Sequence, residues 1–399
     1  LIKNLQFLHT FCTVPDKTVR RDELGVHHIR SIPLAKMAEG RIGDVLHGGK
    51  KERPLAQVQI PDAHKSDEFV FFVRNLQDKI KHFVSEKALL AGLKPAEKFL
   101  FAVVILFILG LAFQFLGAFL ASWIYGFGLT EVLSLSSFED PEYVAATKLI
   151  QLVGAIGTFI VPAFLFSYLF AGDLFSYYSF REPVNGISVL LTVLMIVSII
   201  PFINYLAELN LRMEFPIRGI DRLMRELEGQ AEELLNAFTS TRNLLDLMIN
   251  LLIIGVIAAV GEELIFRGLL QRLIQEMLRS PHLAILITSI FFSAFHFQFF
   301  SFLPRFLLGI ILGYLMYYGR SIWYPILAHF VNNAMGVVYY HFNQAGEEGV
   351  LDDIGTSAMM PLTAILSLAG FVILFGLWLY FTVGQGVNRS RPSWTARRR

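Results

Sequence analysis

Long apolar runs, broken by a few isolated charges, dominate the chain after its first hundred residues. A bilayer core about 30 Å thick takes roughly 20 residues of helix. Four uncharged stretches reach that length, at 99–124, 149–171, 183–207 and 358–383. Between 246 and 320 the pattern changes. Residues 247–261 are uncharged, but a helix starting near Asn243 then meets Glu262, Glu263 and Arg267 before another apolar turn. Residues 280–304 follow as a span holding His282 and His296, 306–319 as a short span, and 321–340 as one holding His329. The pattern predicts an all-α fold, a polytopic membrane helical bundle of about eight spans with an N-terminal cytoplasmic extension.

Two further stretches are amphipathic rather than apolar. Leu223, Leu227, Ala231, Leu234, Leu235 and Phe238 recur at helical spacing among glutamates, with Asp221 placed to cap the start. Phe69, Phe72, Val73, Leu76, Ile80, Phe83 and Val84 form a similar stripe beside Lys79, Lys81 and Lys87. The first reads as an interfacial helix able to shade a cavity mouth, the second as a helix near 68–90 on the membrane surface. The domain reading is an extension over 1–98, partly disordered, a membrane domain over 99–383 and a basic tail over 384–399.

Composition narrows the function classes. Hydrophobic residues make up 54% of the 399 and charged residues only 17%, which excludes an ordinary soluble domain. Lys plus Arg number 34 against 33 acids, so no global field attracts nucleic acid. Cys12 is the only cysteine, which excludes an intrachain disulfide and a multi-thiolate zinc site. Before residue 99 stand 17 Lys and Arg, and Arg389, Arg391, Arg397, Arg398 and Arg399 lie in the tail. Both termini are therefore expected in the cytoplasm, in the plasma membrane if the host is bacterial. The five Arg of the connection 208–246 sit poorly with the outside placement that eight spans give it.

A charge at the centre of a membrane helix costs about 2.5 to 3.5 kcal/mol on insertion scales, so three together cost roughly 8 to 10 if unpaired. Glu263 and Arg267 are four apart and share a helix face, so each can neutralise the other. Glu262 is turned about 100° away and has no cation along the sequence, which leaves it available as a general base. His296 stands four residues after Phe292, and Asn333 four after His329, each pair on one helical face. Three helices can thus converge on one cavity.

Glu262-Glu263-Leu264-Ile265-Phe266-Arg267, Phe292-Ser293-Ala294-Phe295-His296 and His329-Phe330-Val331-Asn332-Asn333 resemble, in order, the motifs of the CPBP membrane proteins. That family includes type II CAAX prenyl proteases and bacteriocin-processing and immunity proteins. The resemblance implies an intramembrane glutamic endopeptidase in which Glu262 and His296 activate a water and His329 and Asn333 stabilise the oxyanion. Glu263 and Arg267 become supporting residues. No cofactor or metal is implied. The implied partners are membrane lipids and a peptide or protein substrate, lipidated in the best-known members, reached through a cavity opening to the cytoplasm.

Two other readings stay open. Glu262, His296 and His329 could supply the three protein ligands of a catalytic zinc, although no HExxH helix accompanies them. A non-catalytic membrane scaffold, immunity factor or transporter could instead use these charges as a proton relay. Gly309 and Gly313 read as a close helix contact, and His282 and His341 as structural or interfacial.

Overall fold

The computed structural model describes residues 88–134, 138–213, 217–239, 243–342 and 361–384. The stripe at 69–84 and the basic tail beyond 384 lie outside the described residues. Within them the fold is helical without a strand. The long helices are α1 (Pro95–Tyr125), α2 (Pro141–Phe170), α3 (Gly186–Leu211), α4 (Arg218–Thr239), α5 (Leu244–Leu278), α6 (Pro281–Ala294), α7 (Phe302–Gly319), α8 (Trp323–Phe342) and α9 (Pro361–Val383). Their starts are local chemistry. Asp140, Asn185 and Asn243 accept from backbone N–H groups of the first turns of α2, α3 and α5, and proline opens α1, α2 and α6.

The eight expected spans correspond to the eight helices other than α4, with two qualifications. Six are long and apolar enough to cross a bilayer. The 14 residues of α6 reach only about 21 Å, and α8 carries His329, Asn332 and Asn333. Three boundaries also move. Helix α2 starts at Pro141 rather than 149 because buried Lys148 is neutralised by Asp246 at 2.9 Å. The expected span 280–304 divides, because α6 stops at Ala294 and Phe297 turns into the left-handed region at φ 55°. Helix α7 then begins at Phe302 and takes in Arg305.

Hydrogen bonds between connections define two ends of the bundle. At the proximal end, where α1 begins, Leu90 N donates to Leu169 O (2.9 Å), Trp323 Nε1 to Phe180 O (3.1 Å) and Asn185 Nδ2 to Phe381 O (3.4 Å). At the distal end Tyr143 Oη donates to Glu131 O (2.9 Å), Asn210 Nδ2 to Phe299 O (2.9 Å) and Asn250 Nδ2 to Phe238 O (2.6 Å). Amphipathic α4 lies at the distal end, and α9 returns the chain to the proximal one.

Of four apolar clusters among the described residues, the two largest hold most of the helices together. One joins α2, α5, α6 and α8 through Phe166, Leu264, Ile265, Phe292 and Ile326; the other joins α3, α7, α8 and α9 through Met195, Ile199, Leu312, Tyr324 and Trp378. Pro201 interrupts α3, and Ser367 of α9 repairs the break by accepting from Phe202 N at 3.3 Å and donating to Ser198 O at 2.6 Å. The outward face of α1 presents Phe107, Phe115, Phe119 and Trp123, as a lipid-facing helix should.

Candidate active site

Helix α5 carries Glu262 and Glu263 at the end of a short α-helical stretch, Ala258–Glu263, and Arg267 within the second of the two π-helical stretches that flank it, Leu251–Ile257 and Leu264–Leu270. Such widenings commonly mark functional positions, because they re-aim side chains and loosen the backbone hydrogen bonding. Gly261 permits the approach of α2, since a Cβ there would come within 2.7 Å of Phe159 Cβ.

The charges are paired as their spacing demands. Arg267 Nη1 donates to Glu263 Oε1 at 2.9 Å, with both side chains buried. Arg267 Nη2 donates to Gly309 O at 3.2 Å, and its Cζ stands 4.3 Å over the Phe292 ring. Gly309 is therefore more than a spacer. It brings α7 against Ser289 of α6, where a Cβ would meet backbone at 3.1 Å, and presents its carbonyl to the guanidinium.

Both glutamates face one imidazole from opposite sides. His329 Nδ1 lies 2.8 Å from Glu263 Oε1, and His329 Nε2 lies 4.0 Å from Glu262 Oε2. His296 approaches the same oxygen with its Nε2 at 3.9 Å, while its Nδ1 contacts Phe292 O at 2.9 Å. A carbonyl can only accept, so the neutral His296 ring carries its proton on Nδ1 and turns a lone pair toward Glu262. Glu262 Oε2 is itself buried without a hydrogen-bond partner. The His296 side chain is 27% exposed against 4% for His329, so the cluster opens past His296, at the distal turn. Burial holds the His296 pKa below its ordinary 6.5; Glu262 works against this shift, and Arg305 adds to it.

Asn333 stands apart from these direct contacts. Its Nδ2 donates to Ile254 O at 2.9 Å, in the first π-helical stretch, and its Oδ1 accepts from Asn332 Nδ2 at 3.2 Å. The sequence reading missed a second set of residues beside His296. Glu228 of α4 accepts from Phe300 N at 3.1 Å, from Gln298 Nε2 at 3.4 Å and from the Ser301 hydroxyl. Arg305 Nη2 donates to Gln298 Oε1 at 2.5 Å. Glu228 is one of several glutamates on an amphipathic helix, so only Arg305, a lone charge beside an apolar run, left any signal in the sequence. Among the described residues no group of three His, Cys, Asp or Glu side chains is disposed to hold a metal ion.

Two buried glutamates set against two histidines inside an all-α integral membrane protein define a polytopic protein with an ionisable cluster in its helical core. Residues 244–335 match the family model described as type II CAAX prenyl endopeptidase Rce1-like, consistent with the CPBP resemblance. The match spans under a quarter of the chain, includes Glu262, Glu263, Arg267, His296, His329 and Asn333, and supports a CAAX-protease-like membrane endopeptidase. No curated protein and no solved structure matches the chain significantly.

Proposed function

We propose that the chain is an intramembrane glutamic endopeptidase that hydrolyses a peptide bond near the membrane surface. The observation that carries this reading is the convergence of Glu262 Oε2 with His296 Nε2 at 3.9 Å and His329 Nε2 at 4.0 Å. These gaps are too long for direct hydrogen bonds and suit one shared water. With His296 neutral, its Nε2 and Glu262 Oε2 are both acceptors at this point, which calls for a donor bearing two hydrogens. Water is such a donor, and removing its proton produces the nucleophile.

In this scheme Glu262 and His296 take the proton as the water attacks the scissile carbonyl carbon, and the proton passes to the departing amine. Glu263 holds His329 by Nδ1, and in this scheme the ring carries its Nε2 proton from the outset, so that Nε2–H faces first the water and then the oxyanion. Arg267 pairs with Glu263 at 2.9 Å and holds that carboxylate in place. The Asn333 amide has a second N–H beyond the one committed to Ile254 O, and that hydrogen is assigned to the oxyanion as well. The substrate is a peptide or membrane-tethered protein tail that reaches the opening past His296.

Purified chain in lipid nanodiscs should cleave a peptide library or native membrane extract. Glu262→Gln and His296→Ala should abolish cleavage at unchanged thermal midpoint, and His329→Ala or Asn333→Ala should lower kcat by about 10²- to 10³-fold. Full activity in the Glu262→Gln variant would end the proposal. Loss of activity with chelator and its recovery with zinc would replace the mechanism with metal hydrolysis.

A further inference from the structure

At the proximal end, away from the His296 opening, Arg267, Arg272 and Arg320 line a small recess together with Tyr177, Ser179 and Gln275. We propose that this recess binds a phosphate group, from either an anionic lipid headgroup or free phosphate. The inference does not depend on the proteolytic reading.

The charge count favours an anion. Three guanidiniums meet two carboxylates, because Arg267 pairs with Glu263 and Arg272 with Glu276 at 3.2 Å, while Arg320 has no carboxylate partner among the described residues. Tyr177 adds no negative charge. Burial pushes its hydroxyl up to about 12, so it stays protonated at neutral pH. Arg272 is held in place by Tyr177 O at 3.2 Å and by the Tyr177 ring, 4.7 Å from its Cζ, which leaves Nη2 uncommitted.

A second observation points the same way. Arg267, 2% exposed, has its Nε buried without a hydrogen-bond partner. Glu263 and Gly309 take one N–H each from Nη1 and Nη2, so Arg267, which lines the recess, keeps uncommitted N–H donors. Multiple N–H donors from separate guanidiniums match the several acceptor oxygens of a phosphate better than the two of a carboxylate. The location also suits a headgroup. The recess sits where α7 ends at Arg320, at the end of the bundle from which α1 departs, and basic pockets between helix ends commonly take lipid phosphates.

The test is the thermal midpoint and native mass spectrum of the full chain in phosphatidylcholine nanodiscs, with either phosphatidylglycerol or inorganic phosphate titrated in. A rise with phosphatidylglycerol alone identifies the headgroup, and a rise with inorganic phosphate identifies the free ion; either supports the proposal. Arg320→Asn, chosen because φ 56° at this position tolerates asparagine, should weaken the response about tenfold. Arg279→Gln, at an exposed position outside the recess, should leave it unchanged. No response to either phosphate source, or an undiminished response in the Arg320→Asn, Arg272→Gln double variant, would overturn the proposal.

Discussion

Glu263 and His329 are joined across 2.8 Å, Oε1 to Nδ1, between helices that are 66 residues apart in the chain. That contact fixes the ring, so Nε2 is the nitrogen left for Glu262. It also gives the two adjacent glutamates different surroundings. One carboxylate orients the imidazole and balances Arg267, and the other faces the ring's free nitrogen.

Removing Glu263 alone should be worse for the fold than removing the whole pair. Glu263→Leu leaves the Arg267 guanidinium buried with only the Gly309 carbonyl, a loss of about 3 to 5 kcal/mol. Glu263→Leu combined with Arg267→Met removes both charges and should recover most of the thermal midpoint. Activity should stay low in the double variant, because His329 has lost its orienting acceptor. Thermal unfolding in detergent beside a cleavage assay tests both halves; equal midpoints for the single and double variants would contradict the pairing.

The acid limb of the pH profile should belong to His296. Burial lowers its folded pKa below 6.5, so the neutral ring required by the mechanism persists to more acidic pH than a free histidine allows. Stability carries the same sign. The unfolded chain binds the proton first as pH falls below 6.5, so the histidine's contribution is complete above that value and is lost down to the folded pKa. His296→Gln should flatten the decline of the thermal midpoint below pH 6.5. A decline of unchanged slope would assign it to other groups.

Glu228 should act on turnover without touching substrate. Its carboxylate gathers Gln298, Phe300 and Ser301, the segment that follows His296 directly. Helix α4 keeps a separate anchor, Asn250 to the Phe238 carbonyl, so Glu228→Ala should fold. Misplacing His296 by a fraction of an ångström should lower kcat about tenfold to a hundredfold with little change in KM. Glu228→Gln, which keeps an acceptor oxygen, should recover part of it. An unchanged kcat in Glu228→Ala would reduce the helix to a cover.

Much of this was legible in the sequence because membranes are strict about charge. Glu262, Glu263 and Arg267 stand out where apolar residues surround them, and their spacing already sorted Glu263 with Arg267. The histidines were found by the same contrast. What spacing alone could not give was the break after Ala294, since Phe295, Phe297, Phe299 and Phe300 read as continuing helix, and the left-handed turn at Phe297 depends on tertiary bonds to α3 and α4. The Asn333 contact with Ile254 was equally hidden, because it depends on a π-helical widening. Helix α4 was visible as a stripe, yet Leu223 on that stripe is 50% exposed while Phe238 is buried.

The position of His296 separates two expectations that had been held together. With the cluster open at the distal end and the outer ends of α1 and α9 at the proximal one, those helix ends and the opening cannot both face the cytoplasm. Residues 79–98 carry five lysines and the connections 126–140 and 343–360 carry no Lys or Arg, so the positive-inside rule favours a cytoplasmic proximal end, against the five Arg of the distal segment 208–246. On that orientation the opening, and with it the substrate, lies on the opposite face. Because Cys12 is the sole cysteine, Cys12→Ser gives a clean background for labelling. An impermeant maleimide applied to intact bacterial cells should modify Gly229→Cys on α4 and spare Gly92→Cys at the proximal end, both exposed positions with open space around them. The reverse labelling would return the opening to the cytoplasm, and with it the cytoplasmic substrates that the family resemblance implies.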